Sequence, residues 1–292
     1  IPDGRIYAEK ALAKFKALGD EAGMAECELV LGEIDYLLGE HDRARQILVE
    51  ADRRTALVGD TLGRGQCLIL LGLIEQADGN REAARELLEE ARAEFENLGY
   101  RLGIAQTIVA LGHLEHRHGD LDAAIEYATT ARHMMKELAN PRGKAACDRL
   151  LAMALLDAGK HEEARERALA AAATYDQLKD PWGEVEAALL LAQIALASGN
   201  PIARDLVRAC SQVGLRESEP IQHLALTQAW LAHVEGRYDD AIPAIKAARA
   251  AYRNPKRTGD HTPFLVARLA GFDWPEPMRT LIDDWWRELG AF

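Results

Sequence analysis

A forty-residue register constrains this chain more than any other feature. Setting residues 21–60 above 61–100, 101–140, 141–180 and 181–220 places Gly23, Gly63, Gly103, Gly143 and Gly183 in one column. Gly39, Gly79, Gly119, Gly159 and Gly199 fill a second, and Leu31, Leu71, Leu111, Leu151 and Leu191 a third. A fourth is small throughout: Gly32, Gly72, Gly112, Ala152 and Ala192. A period this long, held without a gap, specifies one helix pair per block, each burying its apolar face on its neighbours.

Block 61–100 shows the pattern in detail. Cys67, Leu71 and Ile74 recur at spacings of four and three, the stripe of an amphipathic helix. Gly79-Asn80 ends it, since glycine supplies a left-handed turn and asparagine can cap the next helix. A second helix then carries Ala84, Leu87, Leu88, Ala91 and Phe95 on one side and Arg85, Glu86, Glu89, Glu90 and Arg92 on the other. Leu98-Gly99 closes the unit. The glycine at position 12, in mid-helix, costs about 1 kcal/mol relative to alanine in an isolated helix, so packing must offset it. The expectation is that Gly32, Gly72 and Gly112 let the paired helix approach, facing Ala44, Ala84 and Ala124, with Ala164 next in that column.

Composition agrees with helices. Hydrophobic residues make up 48% of the 292 residues and aromatics only 6%, which suits a continuous Ala/Leu core rather than sheets. The net charge of −12, with bases interspersed among acids, lacks the basic face that releases counterions from nucleic acid. Cys27, Cys67, Cys147 and Cys210 contain no CxxC pair; the first three share a column, where stacked helices roughly 9–10 Å apart lie beyond disulfide reach. They read as small buried thiols of a reducing compartment. With no membrane-length apolar run and no signal peptide pattern, a cytoplasmic location is expected.

Leu31-Gly32, then Gly39, Ala44 and Ala51 resemble the tetratricopeptide repeat in spacing, over most of the chain from about Ile6 to Tyr252. Two departures stand out: the unit is six residues longer than the usual 34, and the first-helix motif tyrosine is replaced by Asp35, Glu75, Glu115, Leu155 and Ala195. The long unit resembles arrays in bacterial signalling proteins, such as arms of maltose-activator-like ATPases, kinase-linked arrays and arrays joined to caspase-like proteases. The resemblance implies an all-α, right-handed solenoid of antiparallel helix pairs and a regulatory binding arm.

The chain divides into three segments. Residues 1–20 match the second half of a repeat, as if the array were cut from something longer; residues 21–252 form about six helix pairs; residues 253–292 form a polar linker and a Trp-rich capping helix. The sixth pair is announced by Ala229, Gly236, Ala241, Ala248 and Tyr252, after a segment at 201–218 about three residues shorter than its equivalents. Trp274, Trp285 and Trp286 are read as a cap over the last apolar face, or else as anchors for a partner or a second copy of the chain.

By resemblance, the first helix of each pair lines the inner groove through positions 6, 9, 13, 16 and 17. These hold Glu26, Glu33 and Tyr36; Gln66 and Gln76; Gln106, His113, His116 and Arg117; Arg149; and Glu186 and Gln193, with Leu29, Ile69, Val109 and Met153 among them. Amides, carboxylates and aliphatics in this arrangement can hold an extended peptide. The Lys/Asn clamp that some tetratricopeptide domains use for a terminal carboxylate is absent, its columns holding Leu29 and Glu33. His113, His116 and His118 form an HxxHxH cluster without a fourth ligand, so a zinc site is not expected. No phosphate loop, GxSxG or Walker lysine motif occurs.

The sequence therefore reads as a non-enzymatic scaffold or regulatory arm, without metal or cofactor, whose partner is a protein or peptide rather than nucleic acid or membrane. A ligand-sensing domain controlling an ATPase, kinase or protease is the alternative.

Overall fold

The computed structural model describes residues 2–212, 218–251, 265–266, 269–276 and 278–288. Tyr252 and the polar break expected at 253–263 lie outside them, as does the side chain of Trp286. The described residues are helical with short turns and contain no strand. In order they form α1 (Pro2–Leu18), α2 (Glu21–Leu37), α3 (His41–Val58), α4 (Thr61–Ala77), α5 (Arg81–Leu98), α6 (Arg101–Arg117), α7 (Leu121–Glu137), α8 (Pro141–Asp157), α9 (His161–Leu178), α10 (Pro181–Ala197), α11 (Ala203–Gln212), α12 (Ser218–Val234), α13 (Tyr238–Ala251) and α14 (Met278–Glu288). They fall into two compact units, one ending at His118 and the other beginning at Gly119.

The same local devices mark both turns of each repeat. Glycines 39, 79, 119, 159 and 199 follow the first helix with φ from 66° to 82°, and Gly19, Gly59 and Gly99 follow the second with φ from 67° to 74°. Left-handed backbone of this kind is strained for residues with a Cβ. The turn after the second helix persists at Ala139 (φ 49°) and Lys179 (φ 53°) all the same. The next helix starts on an Asp or Asn whose side chain accepts a hydrogen bond from the glycine three residues on: Asp20 from Gly23 N (3.1 Å), Asp60 from Gly63 N (2.9 Å), Asn140 from Gly143 N (2.8 Å) and Asp180 from Gly183 N (3.2 Å). This satisfies one of the free N–H groups at a helix start.

Those glycines have a second role. A Cβ on Gly23, Gly103 or Gly183 would stand 2.3–2.6 Å from the ring of Phe15, Phe95 or Tyr175, the large residue near the end of the preceding helix. The position-12 glycines also sit in close contact, but against leucine before alanine. A Cβ on Gly32 would lie 2.5 Å from Leu48, and one on Gly72 would lie 2.9 Å from Leu88 and 3.3 Å from the Ala84 carbonyl. Ala44 and Ala84 are fully buried nearby, yet the side chain that fills the hollow is the leucine one turn further on. A glycine on one helix thus receives a leucine from the other.

In the first unit the second helix of each pair is tied to the first helix of the next by an ion pair thirty residues apart. Arg5 meets Asp35, Arg45 Nε lies 3.1 Å from Glu75, and Arg85 Nη2 lies 2.5 Å from Glu115. Arg43 and Arg81 add second partners to Asp35 (3.2 Å) and Glu115 (2.5 Å). Asp35 and Glu115 are wholly buried, so their charge requires this compensation. The column that lacks the motif tyrosine is therefore the acidic half of a between-repeat contact. In the second unit the first pair of corresponding positions holds Ile125 and Leu155, apolar together, and the next holds Arg165 and Ala195.

Described residues between 265 and 285 pack within the second unit. Leu265, Val266, Leu269, Trp274, Met278, Ile282 and Trp285 are buried in one cluster with Trp230, Ala241, Ile245 and Ala248 of α12 and α13. Trp274 Nε1 donates to the Leu269 carbonyl at 2.6 Å, and its ring centroid lies 4.5 Å from that of His233.

Two measurements check these packing roles. Gly72→Leu overpacks the α4–α5 contact and should lower stability by about 1–3 kcal/mol in chemical denaturation; an unchanged midpoint refutes the close packing. Glu115→Ala should cost roughly 1–3 kcal/mol, short of the figure for a sealed pair because both arginines are partly solvated. The double change Arg85→Ile/Glu115→Leu, which copies Ile125 and Leu155, should regain at least half of that loss.

Candidate functional site

The way the helices touch decides which face is inner. In the first unit α2 packs on α4 and α4 on α6; in the second α8 packs on α10 and α10 on α12. Among the described residues the second helices pack on first helices rather than on one another. Within each unit the first helices are therefore the more crowded layer, and their outward columns form its inner face.

In the first unit this face is open. Glu26, Glu33, Gln66 and Gln106 are exposed, and Leu29, Tyr36, Ile69, Val109 and His113 are half-buried between them. Towards the helix ends the same columns sink. Gln76 (1% exposed) and His116 (2%) are buried, as is Arg117. The Gln76 side-chain oxygen has no hydrogen-bond partner among the described residues. His116 and Arg117, expected to line the groove, are thus covered at the end of α6. Burial, and after it Arg81 and Arg117, hold the His118 imidazole below its usual range. No three His, Cys, Asp or Glu side chains converge on a common point among the described residues.

In the second unit the inner columns converge. Arg149 and Met153 on α8, Glu186, Leu189, Leu190 and Gln193 on α10 and His223 on α12 line one small polar recess. Arg149 Nη1 lies 3.7 Å from Glu186 Oε2 and 3.6 Å from Met153 Sδ. His223 Nδ1 approaches the same Glu186 oxygen at 3.7 Å. Gln193 Nε2 donates to Thr227 Oγ1 at 3.2 Å, and Thr227 donates to the His223 carbonyl at 2.6 Å. Glu186, Gln193, His223 and Thr227 are buried; Arg149 keeps 22% of its side chain in solvent and is the charged group a ligand would meet.

The sequence reading named Arg149, Glu186 and Gln193 but missed His223 and Thr227. The cause is the short α11: Gly236 follows Gly199 by 37 residues instead of forty. Carrying that slip of three into the sixth pair puts His223 in the column of Glu26, Gln66, Gln106 and Glu186.

The cysteines contribute no nucleophile. All four are free and buried. Burial pushes the thiols of Cys67 and Cys147 up to about 12 and that of Cys210 up to about 11, and raises Cys27 as well. Thiolate is then negligible at neutral pH. An aromatic disulfide reagent should leave all four unmodified for minutes in the folded protein and modify all four in denaturant. A fast-reacting thiol in the folded state would contradict this burial.

Residues 65–137 match the family model described as tetratricopeptide repeat. The match falls within an all-α array of helix pairs, the arrangement that this repeat builds. Solved structures similar to the chain include the apo form of RapI, 12% identical over 96% of this chain and 78% of that one, with a TM-score of 0.66. A Rap protein complexed with competence and sporulation factor is 14% identical over 99% and 86%, with a TM-score of 0.64. BtubC (BKLC) from P. vanneervenii is 18% identical over 80% and 92%, with a TM-score of 0.57. At these identities the likeness is one of fold. No curated protein matches the sequence. Among the described residues no helix is long and apolar enough to cross a membrane.

Proposed function

We infer that this chain is a non-catalytic scaffold that holds a protein or peptide segment on the inner faces of its first helices. The carrying observation is the convergence of Arg149, Glu186, Gln193 and His223, drawn from three successive pairs, onto one recess beside the buried Met153, Leu189 and Leu190. Buried polar groups held by one another and by a half-buried arginine give a fixed set of donors and acceptors, which suits recognition of a backbone or polar side chain.

A second reading treats the same surface as the sensor of a regulatory arm, in which a bound ligand controls an attached ATPase, kinase or protease. Likeness to a Rap protein complexed with competence and sporulation factor supports it. The forty-residue unit, similar to arrays of bacterial signalling proteins, points the same way. Both readings place the chain in the cytoplasm and give it no metal or cofactor.

Arg149→Glu tests the shared core of these readings. It sets a second carboxylate beside buried Glu186, so the melting temperature should fall, while the protein stays folded at the temperature of the assay and capture of partner from a native extract falls by at least tenfold. Undiminished capture would move the site off the inner face. A stoichiometric protein in the wild-type eluate supports the scaffold; a small molecule that raises the melting temperature without one supports the sensor.

A further inference from the structure

We propose that the inner face of the first unit selects a basic, aliphatic segment of a partner protein, in which two lysines or arginines roughly 10 Å apart bracket aliphatic side chains. This rests on the inner-face reading above and adds the partner's chemistry. Helix α2 carries Glu21, Glu26, Glu28, Glu33 and Asp35 and not one lysine or arginine. Three of these acids are used inside the protein: Glu21 and Glu28 by Arg54, and Asp35 by Arg5 and Arg43. Glu26 and Glu33 are exposed, and neither has an ion pair among the described residues.

Their spacing of seven residues puts them on one face, two turns and about 10 Å apart. Leu29 and Val30 lie between them, Val30 with 40% of its surface in solvent, and Leu37 continues the apolar strip. Helix α4 extends it with the half-buried Ile69, Leu70 and Leu73, and adds the uncharged Gln66. The one base on α4, Arg64, is held by Glu90, Glu94 and Asp52. The outward charges on this stretch of α2 and α4 are thus both negative, with aliphatics between them and amides beside them.

The surroundings reinforce the sign. Residues 1–118 hold 14 Lys and Arg against 22 Asp and Glu, so this unit carries −8 of the net charge of −12. An acidic segment, a phosphorylated one or a terminal carboxylate would approach Glu33 against repulsion. A cationic segment with aliphatic side chains would neutralise Glu26 and Glu33 while covering Val30, Ile69 and Leu73, with contacts that weaken with salt.

The test is a selection of random twelve-residue peptides displayed against the whole chain. Binders should be enriched in Lys and Arg next to Leu, Ile or Val. Individual synthetic binders should weaken roughly tenfold, within the range of two solvent-exposed charge pairs, on Glu26→Lys/Glu33→Lys and again on raising the salt. Glu82→Lys/Glu86→Lys on α5 makes the same change in net charge at exposed positions of a second helix and should leave affinity within twofold. Binders without basic enrichment, or equal losses in the two double variants, overturn the charge selection and leave the scaffold standing. Failure to recover any binder overturns both.

Discussion

The closeness of neighbouring helices at their glycines, within a pair and between successive pairs, is the constraint on which the architecture depends. Gly32 and Gly72 receive Leu48 and Leu88, while Gly23, Gly103 and Gly183 receive the rings of Phe15, Phe95 and Tyr175. Each contact replaces a Cβ with a large apolar group from the neighbouring helix, so the helix penalty of glycine is offset by buried area. The alanines of the second helices, Ala44, Ala84, Ala124 and Ala164, are all fully buried, which keeps these helices slim where they meet their neighbours. With the pairs fixed this tightly, their outward columns are held on rigid elements, as a recognition surface requires.

Polar residues then specify how one pair succeeds another. In the first unit, arginine on a second helix and an acid on the next first helix recur at Arg5/Asp35, Arg45/Glu75 and Arg85/Glu115. Buried pairs of this kind add little net stability compared with apolar contacts of similar shape, but a mismatched neighbour would leave a charge uncompensated. They favour one register between successive repeats. The second unit varies the device: Ile125 and Leu155 occupy the first equivalent positions, buried Asp148 is held by Arg132 (2.5 Å) and Lys144 (2.8 Å), and Arg204 after a later turn meets Glu235 (2.5 Å).

Much of this was legible in the sequence, for reasons that residues make plain. Glycine and leucine columns report backbone and packing constraints that hardly vary between repeats, so helix bounds and turns can be read from the period. Depth cannot. Gln76, His116 and Arg117 fall on inner columns yet are buried, because periodicity gives the direction of a side chain and not what lies above it. The column of Asp35, Glu75 and Glu115 looked like a lost tyrosine until its arginines, thirty residues earlier, were set beside it. His223 was hidden by the three-residue slip before α12. Tertiary context also overrides turn preference: Ala139 and Lys179 adopt left-handed backbone where earlier repeats use glycine.

The entry to a repeat is written in four consecutive residues, Asp20 to Gly23, Asp60 to Gly63, Asn140 to Gly143 and Asp180 to Gly183, and needs no information from further along the chain. A gene encoding such a protein can gain or lose whole forty-residue cassettes by unequal recombination, since each of these four junctions restores its own start signal. Array length, and with it the reach of the surface offered to a partner, can then drift in quantised steps while each module keeps its internal design.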